Sequence, residues 1–444
     1  TGIRGSFNFD NLFNKEQPFQ MDARIRDITT SYYQLRGLMP ELFGNSLPEF
    51  LKTLGQFTVR GPALVTETSV STQVNIQSSL GSSYADLNLT GFDDIDNAEY
   101  TGFVSLIDFD LGRFTGTKSL GKTTVDVNVE GKGFSKEKLN TEVIGQVYTF
   151  VFNGYEYSDI AVSGILKEEL FDGSLNSKDP NFMFNFTGLA DFGSAENTFN
   201  FVASVDYADL YRLNFVKDST STSIFKGDVN MDISGNTLDE IKGDIRFSQT
   251  SFQNKNDTYF FEDFKISSSL DADSVHTITI NSPDIITGYM SGKFRIGELG
   301  KLFKNSVGSI YTNYQADSVS AGQELDFNFR IYNKIVEVFF PEVSFGPNTF
   351  VRGNIVADEN DFKLNFKSPG IEAYGNTLDT IDIRIDNKNP LFNTYISVRD
   401  VSTVYYDLKD FELINTTLAD TLFFRTEFKG GSQYNDRYSL NFYH

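Results

Sequence analysis

Few side chains in this chain could do chemistry, and its two histidines, His276 and His444, are considered first. His276 lies in the alternating stretch 275–280, and its neighbours do not have metal-ligand spacing. The chain has no cysteine, so it can form no disulfide, no zinc-finger site and no thiol nucleophile. We therefore expect His276 to be structural or exposed, and not catalytic.

Carboxylates are the remaining candidates for chemistry. Asp93, Asp94 and Asp96 supply oxygen ligands of the kind that Ca²⁺ prefers, but the segment lacks the glycine and the terminal glutamate of an EF-hand loop, so a solvated turn is the better interpretation. A glycosidase pair would need two placed carboxylates, and no position favours one. No phosphate-binding loop, dinucleotide fingerprint or Gly-x-Ser-x-Gly elbow is present. We expect no enzyme activity, no metal, no cofactor and no nucleotide.

The charge balance limits the partners. The chain has 38 Lys and Arg against 60 Asp and Glu, a formal net charge of −22. Such a surface repels nucleic acid and anionic membrane surfaces, and no basic stripe is present. No signal peptide or transmembrane helix is visible, and the chain starts at Thr1 without a methionine. This predicts a processed or excised piece of a longer protein, whose membrane anchor, if it has one, lies outside these residues. The missing cysteines fit the periplasm of a two-membrane bacterium.

Strict alternation of apolar and polar residues dominates the chain, which contains 44 Phe and 21 Tyr at a mean hydropathy of only −0.28. Successive side chains of a strand point to opposite faces, so such segments predict strands that are apolar on one face and solvated on the other. Central strands of a parallel α/β sheet would instead be apolar on both faces. The pattern predicts an all-β fold built from half-apolar sheet.

Helical patterns are scarce. Residues 29–54 contain two prolines and predict two short helices. Residues 296–311 carry an apolar stripe at helical spacing, and a third candidate helix covers residues 206–214. We expect each helix to pack on the apolar face of the sheet.

A faint internal repeat accompanies the strands. Gly235-Asn236-Thr237-Leu238-Asp239 recurs as Gly375-Asn376-Thr377-Leu378-Asp379, and an Asp-Ile-Arg strand follows each copy. Gly-Asn is turn chemistry, so the repeated unit is predicted to be a turn followed by a meander of strands. Weak joints divide the sheet into three predicted segments: 1–145 with the helices near 29–54, 146–320 with the amphipathic helix near 296–311, and 321–444.

The apolar face is the feature that indicates a function. A row of half-apolar strands can close into a sandwich or barrel, or it can curl into an open groove for a ligand, and periodicity does not separate the two. About thirty strands at roughly 4.8 Å spacing would make an elongated sheet on the order of 140 Å long. We predict that the groove is lined by Val125, Val127, Val129, Phe182, Phe184, Phe186, Phe199, Phe201, Phe327, Phe329, Ile331, Phe362, Leu364, Phe366, Ile381, Ile383 and Ile385.

Several segments, in order along most of the chain, resemble landmarks of the TamB branch of the AsmA-like family. They are Leu38-Met39-Pro40, Gly131-Lys132-Gly133-Phe134, Asn153-Gly154-Tyr155-Glu156-Tyr157, the stretch 277–284, and the ending from Phe428-Lys429-Gly430-Gly431 to His444. The resemblance implies a long β-groove, the β-taco, in a periplasmic protein whose parent is anchored in the inner membrane by a segment not in this chain. It also implies phospholipid as cargo and an outer-membrane barrel of the Omp85 type as a partner.

Three hypotheses follow from these observations. The first is a periplasmic bridge whose groove carries phospholipid acyl chains between the inner and outer membranes. The second is an assembly factor that shelters strands of outer-membrane barrel proteins by β-augmentation and acts with an Omp85-type barrel. The third is a surface adhesin or carbohydrate-binding β-solenoid.

Overall fold

The computed structural model describes residues 2–13, 16–38, 49–92, 94, 96–135, 137–216, 222–255, 257–310, 314–332, 342–418 and 421–444. In these residues the protein is all-β, with open antiparallel sheet and a few short helices. This confirms the fold class predicted from the alternating pattern. Contacts divide the chain into two compact units, unit 1 from Thr1 to Asp228 and unit 2 from Val229 to His444. The three segments proposed from the sequence stay a prediction.

Unit 1 contains twelve complete strands within its described residues, and each pairs antiparallel with the next along the chain. They are β1 (Gly2–Asp10), β2 (Gln20–Ser31), β3 (Gln56–Thr66), β4 (Ser69–Ser78), β5 (Gly81–Thr90), β6 (Glu99–Asp110), β7 (Leu120–Lys132), β8 (Asn140–Phe152), β9 (Tyr155–Lys167), β10 (Leu170–Asp179), β11 (Phe182–Asp191) and β12 (Thr198–Asp209). Strand β13 (Ile224–Ser234) contains the boundary between the units.

Unit 2 continues the antiparallel pattern, except that the short β19 pairs with β21 while β18 pairs with β20. Its strands are β14 (Lys242–Gln253), β15 (Thr258–Leu270), β16 (His276–Ser282), β17 (Ile286–Lys293), β18 (Glu324–Ile331), β19 (Val343–Phe345), β20 (Thr349–Val356), β21 (Asp361–Ala373), β22 (Asn376–Asp386), β23 (Thr394–Ser402), β24 (Asp407–Leu418), β25 (Thr421–Gly430) and β26 (Asp436–Tyr443).

The two helical regions in the predicted segments are present. Helix α1 (Tyr32–Leu38) and a 3-10 helix (Glu49–Lys52) lie within 29–54, and residues 39–48 between them are outside the described part. A 3-10 helix (Ile296–Glu298) leads into helix α3 (Leu299–Gly308) in unit 2. A further helix, α2 (Leu111–Thr115), was not predicted from the sequence.

Helix α2 is a single turn held by its caps. The Asp110 carboxylate accepts a hydrogen bond from the Arg113 backbone N–H at 2.9 Å, and Gly116 ends the helix at a φ of 77°. An aspartate before the first turn and a glycine after the last are the signals of such a helix. The apolar stripe needed to recognise it from periodicity does not fit in five residues.

The third helix predicted, over 206–214, is wrong. Strand β12 continues to Asp209 because Ala208 still pairs with Phe182, and residues 210–214 then form turns. The Leu213 N–H donates to the Asp209 carbonyl at 3.0 Å, which makes one turn that is not continued. The two leucines that suggested a helical stripe, Leu210 and Leu213, both pack on the apolar core of this region.

The two copies of the internal repeat adopt different structures. After Gly235, residues Leu238–Glu240 form a 3-10 helix before β14 begins. After Gly375, the chain enters β22 at Asn376, and the equivalent residues are paired strand. The prediction of a turn followed by strands therefore holds for the second copy, and the first inserts a helical turn before its strand.

Glycines interrupt the apolar face of unit 1, mostly in one cross-strand row. Gly102 and Gly188 adopt φ values of 147° and 144°, a conformation that glycine takes without steric penalty. A Cβ added to Gly188 would collide with the backbone and Cβ of Phe201 on the neighbouring strand. Glycine kinks of this kind bend strands and bring backbones close together.

Candidate functional site

The strand register of unit 1 places the predicted apolar residues on one face. Residues directly opposite on paired strands share a face, and following them from β6 to β12 gives three rows. The rows are Leu106, Val125, Val147, Ile160, Ser177, Phe184 and Val205; Val104, Val127, Gly145, Val162, Leu175, Phe186 and Ala203; and Gly102, Val129, Val143, Gly164, Gly173, Gly188 and Phe201. We call these rows the unit 1 face.

Aromatic rings pack along this face without being buried. The rings of Phe182 and Phe184 lie 4.4 Å apart, those of Phe186 and Phe201 4.9 Å apart, and Phe171 lies 6.3 Å from Phe186. All five side chains are half-buried, and no residue of the three rows is fully exposed. The other face of the same strands carries exposed polar residues such as Asn176, Asn185 and Thr187 beside a few exposed apolar ones.

Sequence reasoning missed more than half of the unit 1 face. Ile160 and Val162 on β9 and Leu175 on β10 lie in the same rows as the predicted valines and phenylalanines. Their strands do alternate, but Gly164, Gly173 and Ser177 occupy face positions and break the apolar run. A glycine or serine within a strand pattern was therefore the signal that was overlooked.

Two sets of apolar contacts close one side of the unit 1 face. Strands that alternate in direction bring all connections after even-numbered strands to the same rim, and α1, α2 and the turn at 210–215 all follow even-numbered strands. The first set packs against buried Leu54, Phe57, Leu80 and Phe109 and includes Leu35, Leu51, Leu111 and Phe114. The second set buries Leu213 beside Tyr157, Phe182 and Phe184.

The described connections at the two rims of unit 1 differ in the sign of their charge. At the described connections after odd-numbered strands, the charged side chains are Glu16, Glu67, Asp94, Asp96, Glu137, Glu168, Glu169 and Glu196, with Lys138 as the one base; we call this the acidic rim. At the connections after even-numbered strands, the charged side chains that the structure describes are Arg36, Lys52, Arg113, Lys118 and Arg212; we call this the basic rim.

Asp179 is a buried carboxylate that organises the basic-rim end of β9 to β11. It is 0% exposed, and its oxygens accept hydrogen bonds from Tyr155 Oη at 2.7 Å, from the Ser158 N–H and Oγ at 2.8 and 3.0 Å, and from the Asn181 and Phe182 N–H groups at 2.8 and 3.1 Å. Burial, followed by the hydrogen bond to Asp179, raises the pKa of Tyr155 to about 12. This network ties the turn at 180–181 to the neighbouring strand.

In unit 2, the register again places the predicted residues on one face. Cross-strand rows join Phe327, Gly353, Leu364 and Ile385; Phe329, Val351, Phe366 and Ile383; and Leu325, Ile355 and Phe362. Ile331 continues the face at the end of β18, and Ile381 continues it in the middle of β22. We call these residues the unit 2 face. Phe327, Phe362 and Ile385 are 3%, 1% and 9% exposed.

Helix α3 accounts for this burial. Its Leu302 is 1% exposed, and the ring of Phe303 meets that of Phe327 at 5.2 Å in an edge-to-face arrangement. Leu299 and Ile310 pack on the same cluster. The amphipathic segment predicted near 296–311 therefore packs on the apolar face, as expected.

Polar contacts fix α3 chiefly to the loop that follows it. The Glu298 carboxylate accepts hydrogen bonds from the Ser320 N–H and from Gln323 Nε2, both at 2.8 Å, and the first of these leads the causes that lower the Glu298 pKa. Lys304 Nζ lies 2.8 Å from Asp317 Oδ2. A cavity of about 710 Å³ remains between α3, residues 314–319 and β20–β21, with a mixed polar and apolar lining.

The structure shows the surroundings of the side chains that the sequence singled out as candidates for chemistry. His276 is 2% exposed, its Nε2 lies 2.7 Å from Ser268 Oγ, and its ring stacks on Phe294 at 5.4 Å. The Asp94 carboxylate accepts hydrogen bonds from the Asp96 N–H and from Asn97, as a turn would, whereas Asp93 lies outside the described residues. Across the described ranges, no group of three or more His, Asp or Glu side chains is placed to hold a metal ion.

The described helices are all too short or too polar to span a bilayer. Comparison with protein-family models, with curated proteins and with solved structures finds no match. The resemblance to the TamB branch therefore stays a prediction from the sequence. The fold and the site define an all-β protein with half-apolar open sheet, in which the apolar face of unit 1 is half-exposed and that of unit 2 is covered by a helix.

Proposed function

We propose that the protein carries phospholipid, with the acyl chains lying on the unit 1 face, as part of a periplasmic bridge between the inner and outer membranes. The observation that carries the proposal is that most residues of the face from β6 to β12, including Phe184 and Phe186, are only half-buried. A continuous apolar surface of seven strands exceeds the scattered apolar residues of an ordinary protein surface, and such patches mark binding sites for apolar partners.

The geometry suits acyl chains better than a folded partner. Seven strands at about 4.8 Å spacing give a surface roughly 30 Å wide across the strands. Glycines lie beside rings on this face, as in the row Gly164, Gly173, Gly188 and Phe201, and leave relief that a flexible chain can follow. Acyl chains need a dry surface and no hydrogen-bond partners, and the face offers few polar groups beyond Ser177.

Lipid retention by matched variants tests the proposal. The protein is purified from membranes without delipidation, extracted with organic solvent, and its phospholipid is measured by mass spectrometry. Phe184→Arg places a charge on the unit 1 face, where the long side chain can reach water, so we expect a folded protein that retains less than about half of the phospholipid. The control Asn185→Arg changes the next residue, whose side chain is exposed on the solvated face, and should retain all of it.

Two outcomes would contradict the proposal. If the wild-type protein yielded no phospholipid, the proposal would be wrong, and the assembly factor for outer-membrane barrels would be favoured. Equal phospholipid in Phe184→Arg and Asn185→Arg would show that lipid binds elsewhere. Loss of outer-membrane integrity in cells that carry only Phe184→Arg would link binding to transport in the periplasm.

A further inference from the structure

The ends of the unit 1 strands differ in both charge and closure. Toward the basic rim, apolar contacts cover the two edges of the face, because the cluster of Leu54 and Leu80 reaches Leu106 on β6 and buried Leu213 packs beside Phe184 on β11. Toward the acidic rim, two connections are two-residue turns, Glu67-Thr68 between β3 and β4 and Glu168-Glu169 between β9 and β10, and the other four have six to nine residues. A molecule that lies along the strands therefore meets a partly covered apolar end and an acidic end.

We propose that the unit 1 face binds a phospholipid whose headgroup carries an ammonium, with the headgroup at the acidic rim and the acyl chains directed toward the basic rim. This inference rests on the proposed function and names the class of lipid. Charge complementarity supports it, because the connections at the acidic rim contain nine carboxylates and three lysines in the sequence, of which eight carboxylates and one lysine lie in the part of the chain that the structure describes. The rim attracts an ammonium and repels a headgroup with a net negative charge.

The opposite orientation is disfavoured by the same contacts. A phosphate at the basic rim would have to pass the side chains that pack on Phe57, Phe109 and Tyr157, which are 4%, 5% and 7% exposed. Removing such contacts exposes apolar surface to water. The acidic rim presents exposed Glu137 and Glu168 instead, so a hydrated headgroup stays in water there.

A single fluorescent reporter makes the face accessible to measurement. The chain has no tryptophan, so Phe186→Trp places one indole in the middle of the unit 1 face, beside Phe201. Acyl chains that carry bromine quench this indole on contact. Phosphatidylethanolamine and phosphatidylglycerol with the same dibrominated chains are presented at equal mole fraction in vesicles of unbrominated digalactosyldiacylglycerol, whose headgroup carries neither an ammonium nor a net charge.

Two double charge-reversal variants distinguish the effect of the acidic rim from the effect of the net charge. Glu137→Lys with Glu168→Lys alters the acidic rim, and Glu156→Lys with Asp206→Lys alters exposed positions on the solvated face near the other strand ends. Both pairs change the net charge by the same amount. Glu156 and Glu168 are twelve residues apart along β9 and its turn, roughly 40 Å at about 3.3 Å per residue, which exceeds the ~10 Å screening length in 0.1 M salt.

We expect the reporter protein to be quenched by both lipids, with a preference of up to about fivefold for phosphatidylethanolamine, the size expected of exposed charge pairs. The rim pair should abolish this preference, the control pair should keep it, and salt should reduce it. Equal quenching by both headgroups would overturn the inference and leave the proposed function standing. A preference that survives in the rim pair, or disappears equally in the control pair, would also overturn it. If neither lipid quenched the indole, the proposed function would be wrong as well.

Discussion

Phe184 and Phe186 in unit 1 stay half-buried, whereas Phe327 and Phe362 in unit 2 are 3% and 1% exposed. All four are phenylalanines at alternating positions on the apolar face of an antiparallel sheet. The difference comes from the connections. The link from β17 to β18, residues 294–323, contains α3, which lies on the unit 2 face.

The comparison shows that the alternating pattern sets which face is apolar and does not set whether that face is covered. Between β8 and β11 of unit 1, the three connections are two-residue turns such as Glu168-Glu169, and they leave no chain to fold back over the middle of the face. In unit 2, a thirty-residue link provides a helix that removes Phe327 and Phe362 from water. The part of the unit 2 face around Phe327 and Phe362 therefore behaves as a core, although Phe329 and Phe366 stay half-buried. Our proposal accordingly places lipid binding on the unit 1 face.

Introducing a charge should separate the two faces most strongly. Phe362→Arg would bury an unpaired guanidinium beneath α3, at a cost of several kcal/mol, and we expect unit 2 to unfold. Phe184→Arg should leave unit 1 folded, because its guanidinium can reach solvent. Circular dichroism and limited proteolysis, with fragments assigned to each unit by mass spectrometry, report on this.

The control for this pair is Phe260→Arg on β15, since Phe260 is 75% exposed and should tolerate the change without loss of structure. If Phe362→Arg left unit 2 resistant to protease, α3 would not be a tight cover. If Phe184→Arg unfolded unit 1, its face would be a closed core and no lipid would be needed to explain it.

Truncation to alanine measures the same contrast on a finer scale. Phe362→Ala leaves a cavity between α3 and the sheet and should lower the free energy of unfolding of unit 2 by about 3–5 kcal/mol. Phe184→Ala loses area burial against fewer neighbours, so we expect about 1–2 kcal/mol for unit 1. Urea unfolding of each variant, followed by a tryptophan at Phe303 for unit 2 or at Phe186 for unit 1, gives both values. Equal costs would mean that the two faces are packed alike.

Local pattern was sufficient to predict the fold class and the apolar positions. Strands such as β7 and β11 could be recognised because a period of two residues is visible in a single segment, as in Val125, Val127 and Val129. Helix α3 was also visible from its apolar stripe. The sequence predicted that this helix packs on the apolar face, but not that it packs on Phe327, because a local pattern does not determine which strands a helix contacts.

The parts that could not be predicted depend on pairing over long distances. Ile160 and Val162 join the unit 1 face through their register with β8 and β10, and that register is a property of several strands together. The charge difference between the rims likewise appears only once each turn is assigned to a strand end. The five residues starting at Gly235 and at Gly375 adopt different structures for the same reason, since neighbouring strands decide between a helical turn and a paired strand.

The stability of the two units should also differ in its dependence on pH, because of one histidine, and this is the smallest of the expected effects. Both histidines lie in unit 2, and His276 is buried against Phe294 with its Nε2 at 2.7 Å from Ser268 Oγ. Burial disfavours the imidazolium and lowers the pKa of His276 from 6.5, an effect that the negative charge of Asp239 partly opposes. The unfolded chain then takes up a proton at a higher pH than the folded chain does. The stabilisation by neutral His276 is therefore complete above a pH of about 6.5 and is lost progressively as the pH falls from there toward the folded-state pKa.

We expect the urea midpoint of unit 2, read from the tryptophan at Phe303, to fall between pH 7.5 and pH 5.5, while the midpoint of unit 1, read from Phe186→Trp, stays nearly constant because unit 1 has no histidine. His276→Gln can still hydrogen-bond to Ser268 and does not titrate, so it should remove most of the fall in unit 2. A fall of equal size in both units would assign the effect to carboxylates. If the urea midpoint of unit 2 still fell in His276→Gln, another group in unit 2 would take up the proton. The burial of His276 beside the cluster under α3 would then not be the cause of the acid sensitivity of unit 2.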